Sequence, residues 1–104
     1  MRRVLDGNKS IMGRRVPFRF RIYVADNALN SAQARANLEA LCQAYLPDRH
    51  HIEVVDVLRE PKRALADGIF MTPTLVKIAP APPRSIVGSL SQTNLVVQAL
   101  GLKS

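Results

Sequence analysis

Gly68-Ile69-Phe70-Met71-Thr72-Pro73-Thr74-Leu75-Val76-Lys77-Ile78 is the stretch from which the other elements take their places. Gly68 releases whatever precedes it, and a Thr-Pro-Thr turn then leads into a short apolar run. Thr74 to Ile78 carries β-branched residues at three of five positions, which suits a pleated strand. Pro73 has no N–H to give a ladder and pushes Thr72 toward extended geometry, so it belongs just before that strand.

Working back from Gly68, Pro61 after Glu60 marks the first position of a short helix that Gly68 closes. Ile52 to Leu58 is nearly continuous in apolar character and rich in valine, as expected of a strand covered on both faces. Leu46-Pro47 ends a longer helix, because the residue before proline avoids the α region. That helix places Ala34, Leu38, Leu41, Cys42 and Tyr45 on one face. Asn30 is its expected cap, with Gln33 three residues on as the capping-box partner. Phe18 to Val24 alternates cleanly, with Phe18, Phe20, Ile22 and Val24 on one face and Arg19, Arg21 and Tyr23 on the other. Working forward, the stiff Pro80-Ala81-Pro82-Pro83 connector leads to a strand from Arg84 to Val87, closed by Gly88. Ser91 is the expected cap of a last helix with Leu95, Val96 or Val97, Ala99 and Leu100 inward, ended by Gly101.

The order is β-α-β-α-β-β-α. A right-handed βαβ unit followed by an antiparallel hairpin and a final helix is the thioredoxin-like plan, with a ferredoxin-like sandwich as the alternative. A proline before the third strand is cis in thioredoxin-like folds, against a background of about 5–6% cis among X-Pro bonds in folded proteins.

With 104 residues and 47% apolar content, the chain is long enough for one core. The net charge of +7 is concentrated at one end. Residues 1–21 hold seven basic residues and one acid, and the remainder is close to neutral. Residues 1–16 are expected to be a basic arm without sustained order, and residues 17–104 the folded domain. Such an arm makes an adaptor for nucleic acid or another acidic partner the alternative reading. A single cysteine excludes an internal disulfide and fits a reducing, cytoplasmic setting. No apolar run is long enough to cross a membrane, and the first residues lack the apolar core of a secretory leader.

Candidate catalytic groups are not evident. In a thioredoxin plan the reactive loop would be Asp26 to Ser31, which has no cysteine. Cys42 falls on an apolar helix face and is expected to be an inert core residue. His50 and His51 are adjacent before a strand with no cysteine or carboxylate cluster, so they are expected to be solvated, and no metal ligand set is assigned. Asp56, inside an apolar run, is expected near a strand end with a backbone or basic partner. No glycine-rich phosphate loop is present, and no cofactor is implied.

Ile22-Tyr23-Val24-Ala25, Asn30-Ser31, Val55-Asp56-Val57-Leu58, Pro61, Met71-Thr72-Pro73-Thr74-Leu75, Lys77, the Pro80–Pro83 cluster, Ile86-Val87-Gly88 and Leu90-Ser91 together resemble the KaiB family. The likeness runs from Phe18 to Leu102. It implies a non-enzymatic protein that binds the KaiC ATPase ring, best known in circadian timing, with a related clock histidine kinase domain competing for the same site. It also implies two arrangements of one chain: a tetramer with βαββααβ order, and a thioredoxin-like monomer with cis prolines. On that resemblance Pro73, Pro82 and Pro83 are the cis-proline candidates. Ala99 and Gly101 stand where cyanobacterial members carry glycine and aspartate, and Glu53 and Gly68 where they carry lysines. The expected partner-binding residues are Ile52, Glu53 and Val54 along an exposed strand edge, with Lys77 and Arg84 near the hairpin.

Overall fold

The computed structural model describes residues 17–25 and 28–102. The basic arm 1–16, and Asp26 and Asn27 of the first loop, lie outside the described residues. The elements are β1 (Phe18–Val24), α1 (Leu29–Tyr45), β2 (His50–Asp56), α2 (Pro61–Ala66), β3 (Thr74–Ala79), β4 (Arg84–Val87) and α3 (Thr93–Leu100). This is the expected thioredoxin-like order. The four strands form one sheet in the order β2-β1-β3-β4. β1 pairs in parallel with β2 and antiparallel with β3, and β3 pairs antiparallel with β4. Among the described residues β2 and β4 are therefore the two open edges.

The alternation in β1 builds two unequal layers. Phe20, Ile22 and Val24 face α1 and α3 and join Ala34, Leu38, Leu41, Cys42, Leu75, Val96 and Leu100 in the main core. On the other face Tyr23 packs with Val55 and Ala64, flanked by Val57, Ile69 and Val76. Side chains such as Leu38, Ile22 and Leu100, at most 1% exposed, each contribute about 1.5–3 kcal/mol by leaving water.

Several boundaries differ from expectation for local reasons. α1 begins at Leu29 with Ala28 at the cap position and no side-chain capping bond, so Asn30 lies within the helix. The polar anchor there is Ser31, 1% exposed, whose Oγ accepts the Ala25 N–H at 3.1 Å. β2 is shifted two residues toward the N-terminus and ends at Asp56. There the carboxylate Oδ1 takes the Leu58 N–H at 2.9 Å and turns the chain, which is the strand-end role expected of Asp56. α3 begins at Thr93 after Gln92, again without a side-chain cap, so Ser91 stands outside it.

Pro61 does open α2. Gly68, just beyond it, has φ +71°, a left-handed conformation that side chains resist. Gly101 takes the same role after α3, with φ +74°. The peptide bonds before Pro73, Pro80 and Pro82 are cis. Pro83, named with Pro73 and Pro82 from the family resemblance, is not among them, and Pro80 takes its place.

Lys77 requires the largest correction. Lys77 lies opposite Phe20 and two residues after Leu75, so strand alternation puts it on the core face of the sheet. It is 5% exposed, its Nζ donates to the Leu100 carbonyl at 3.3 Å, and it lies 6.0 Å from the Phe18 ring centre. It is therefore not a surface residue of the hairpin in this fold.

Replacing Leu38 with alanine should lower unfolding stability by about 2–5 kcal/mol. The equivalent change at Leu95, 58% exposed, should stay within about 0.5 kcal/mol. Urea midpoints at unchanged slope would check both.

Candidate functional site

The parallel register between β1 and β2 sets Arg21 beside Glu53 and Tyr23 beside Val55. From this pairing a connected polar cluster grows across the face that α2 partly covers. Arg21 Nε meets Glu53 Oε1 at 2.9 Å, and Arg63 of α2 meets Glu53 Oε2 at 2.6 Å. Arg21 also reaches Asp67 Oδ2 at 3.1 Å, and the Tyr23 hydroxyl donates to the same carboxylate oxygen. Arg63 continues to Glu60 at 3.3 Å. Each oxygen of Glu53 thus has its own guanidinium.

Charge and burial shift these groups in consistent directions. The Arg21 guanidinium, followed by that of Arg63, holds the Glu53 carboxyl below the usual carboxylate range. The hydrogen bond that each donates to Glu53 raises both arginines further. Burial first, then the Asp67 carboxylate, push the Tyr23 phenol upward. Nothing in the cluster is a poised nucleophile or base, and every member has a charge or hydrogen-bond partner.

The expected site residues do not form one patch. Ile52, Glu53 and Val54 do lie on an open edge, β2, with Val54 41% exposed and Ile52 packed partly against the core. Arg84 is exposed on β4, at the opposite edge and three strand spacings away, about 14 Å. Lys77 lies buried between them. Ala99 is an exposed residue inside α3, and Gly101 is its left-handed cap.

A second feature was not anticipated. Leu29, Leu58, Phe70, Met71 and Val87 are all more than half exposed and belong to the end of the sheet where β1 and β2 finish and β3 begins, with Phe70, Met71 and Val87 lining one shallow hollow. The adjacent Phe70-Met71 pair in a loop was the available signal, since two large apolar side chains before a Thr-Pro turn have no core to enter. Arg21 with Glu53, by contrast, becomes visible only once the β1–β2 register is drawn.

The remaining candidates behave as structural residues. Cys42 is fully buried and its thiol is pushed up to about 11, by burial first and then by Glu39. It therefore carries little thiolate at neutral pH. His50 opens β2 rather than lying in a loop, and its Nδ1 sits 2.7 Å from the Leu46 carbonyl, while His51 is exposed. Among the described residues no three histidine, cysteine or acidic side chains come close enough to hold a metal ion, and no helix is long and apolar enough to cross a membrane.

The depressed Glu53 carboxyl makes an acid-dependent contribution to stability. It is fully present above the unfolded carboxyl value of about 4.3 and is lost as pH falls through the lower folded value. Unfolding midpoints of the parent should therefore drop more steeply below about pH 4.5 than those of Glu53→Gln, and equal slopes would reject the assignment.

Comparison with known proteins agrees with this architecture. Residues 21–102 match the KaiB domain. A circadian clock protein KaiB3 from a Synechocystis species is 40% identical over 82 residues, covering 79% of this chain and 80% of that protein. A circadian clock oscillator protein KaiB from Prochlorococcus marinus is 38% identical over 91 residues, covering 88% and 78%. Among solved structures, the N-terminal domain of Synechococcus elongatus SasA superposes with a TM-score of 0.71 at 21% identity, over 91% of this chain and 93% of that one. Thioredoxin from Fasciola hepatica gives 0.67 at 18% identity, over 86% and 84%. Sequence and fold thus converge, and the chain belongs to the KaiB family.

Proposed function

We propose that this chain is a non-enzymatic regulatory protein that binds a KaiC-like ATPase ring, in circadian timing or a related bacterial signalling pathway. The observation that carries this reading is the match to the KaiB domain across residues 21–102, most of the folded body. Two features of the geometry support it. The polar cluster contains no activated nucleophile, since its carboxylates are neutralised by arginines and the one cysteine is buried. The β2 edge offers unpaired backbone groups of the kind that another protein's strand or loop can meet.

Ile52, Glu53 and Val54 are the contact residues of this proposal. A clock-type histidine kinase is a candidate competitor, because the SasA N-terminal domain has the same fold. In this reading the thioredoxin-like arrangement is the binding form. A homo-oligomer with the βαββααβ order is its resting counterpart, and the basic arm at residues 1–16 is an appendage to the domain 17–104.

A tagged chain should retain a KaiC-like ATPase, identified by mass spectrometry, from lysate of its native cell. Val54→Arg should abolish retention while Arg84→Glu, at the far edge, leaves it within about twofold. Failure to retain any such ATPase, or equal retention by Val54→Arg, would count against this edge. A separate prediction concerns Ala99, an exposed residue in the last turn of α3. Ala99→Gly should cost that helix about 0.8–1.0 kcal/mol, and so shift the population about fivefold away from the thioredoxin-like form. Peak volumes of the two forms by NMR would show no loss if the idea is wrong.

A further inference from the structure

The second face of the sheet is covered by a helix that has little apolar reason to be there. α2 has six residues, far below the length at which helices persist unaided. Its cap residue Glu60 makes no side-chain capping bond. Ala64 is its only buried side chain, while Leu65, its largest apolar residue, is 67% exposed. Beneath it lie Tyr23 and Val55, both fully buried, with Val57, Ile69 and Val76 around them.

The polar attachments of α2 are ionic, one from Arg63 in its middle and one from Asp67 just past its C-terminal end. Arg63 is tied to Glu53 of the β2 edge at 2.6 Å, and Asp67, which follows the last helical turn, is tied to Arg21 at 3.1 Å and to the Tyr23 hydroxyl. Glu53 is the shared member, because its second oxygen holds Arg21. Removing its charge therefore loosens the helix directly at Arg63 and leaves Arg21 with Asp67 alone. The pairs are only partly buried, with side-chain exposures between 23% and 38%, so dissolved ions can reach them.

We propose that α2 is an electrostatically fastened cover over the Tyr23–Val55–Val76 face, latched through Glu53, and that it opens as a unit while the main core stays folded. Its opening exposes an apolar sheet face next to the β2 edge. A cation arriving at that edge and competing for Glu53 therefore unlatches the cover. The device is a property of the free chain and does not depend on which partner the edge takes.

Amide hydrogen exchange by NMR on the full chain, without any partner, tests it. The Ala64 and Ile69 amides, bonded to the Glu60 and Ala64 carbonyls, report on the cover. The Phe20 and Ile22 amides in the central strand report on the core. In Glu53→Gln the cover amides should exchange about threefold to fivefold faster, with the core amides unchanged. Raising salt from about 0.05 to 1 M should speed the same amides more in the parent than in the variant, which keeps only the Arg21–Asp67 pair of the latch. Glu39→Gln, the same charge change on an exposed face of α1, should leave them alone. Unchanged cover amides would overturn the proposal, and so would cover and core amides accelerating together. If the variant does not fold, the salt series on the parent decides by the same two criteria. Either outcome is independent of ATPase retention, so this inference and the proposed function can fail separately.

Discussion

The in-register parallel pairing of β1 with β2, from Phe18 opposite His50 to Val24 opposite Asp56, is the constraint on which the rest of the molecule depends. Parallel neighbours need a crossover, and α1 supplies it, laying Ala34, Leu38, Leu41 and Cys42 over the face that carries Phe20, Ile22 and Val24. The same pairing decides the opposite face. Arg21 must then sit beside Glu53 and Tyr23 beside Val55, so one register produces both a dry core and a charged surface network. A slip of one residue would exchange these faces, placing two arginines where the core now lies.

The two faces are consequently stabilised by different physics. The α1–α3 side relies on apolar burial, which is insensitive to ionic strength. The α2 side relies on carboxylates and guanidiniums that water and salt can reach, and on few buried carbons. Exposed ion pairs are individually weak, about 0.2–1 kcal/mol, but here they share Glu53 and Asp67 and so form a network rather than isolated contacts.

Most of the fold could be read from residue pattern because the signals there are local. The β1 alternation, Pro61 at a helix start, Gly68 and Gly101 at helix ends, and Pro73 before β3 each act within a few residues. What could not be read depends on long-range register. By alternation Lys77 shares the face of Leu75, yet its charge argues for the surface, and only the distant Leu100 carbonyl gives the inward place an acceptor. Glu53 was recognised as an edge residue, but its two arginines come from positions 32 and 10 residues away. The caps expected at Asn30 and Ser91 failed for a related reason: packing of α1 and α3 set their starting points, and local capping was overridden. That Val54 and Arg84 stand at opposite edges depends on strand order across the sheet, which chain order does not display.

Lys77 also bears on how the molecule can come apart. Its ammonium is sheltered from solvent and points at the final carbonyls of α3, where a helix end carries partial negative charge. Were the terminal helix to peel away alone, that ammonium would lose its carbonyl acceptor and keep only the Phe18 ring beside it. The hairpin and the last helix are thus joined by a polar rivet through the core, and parting them forfeits it.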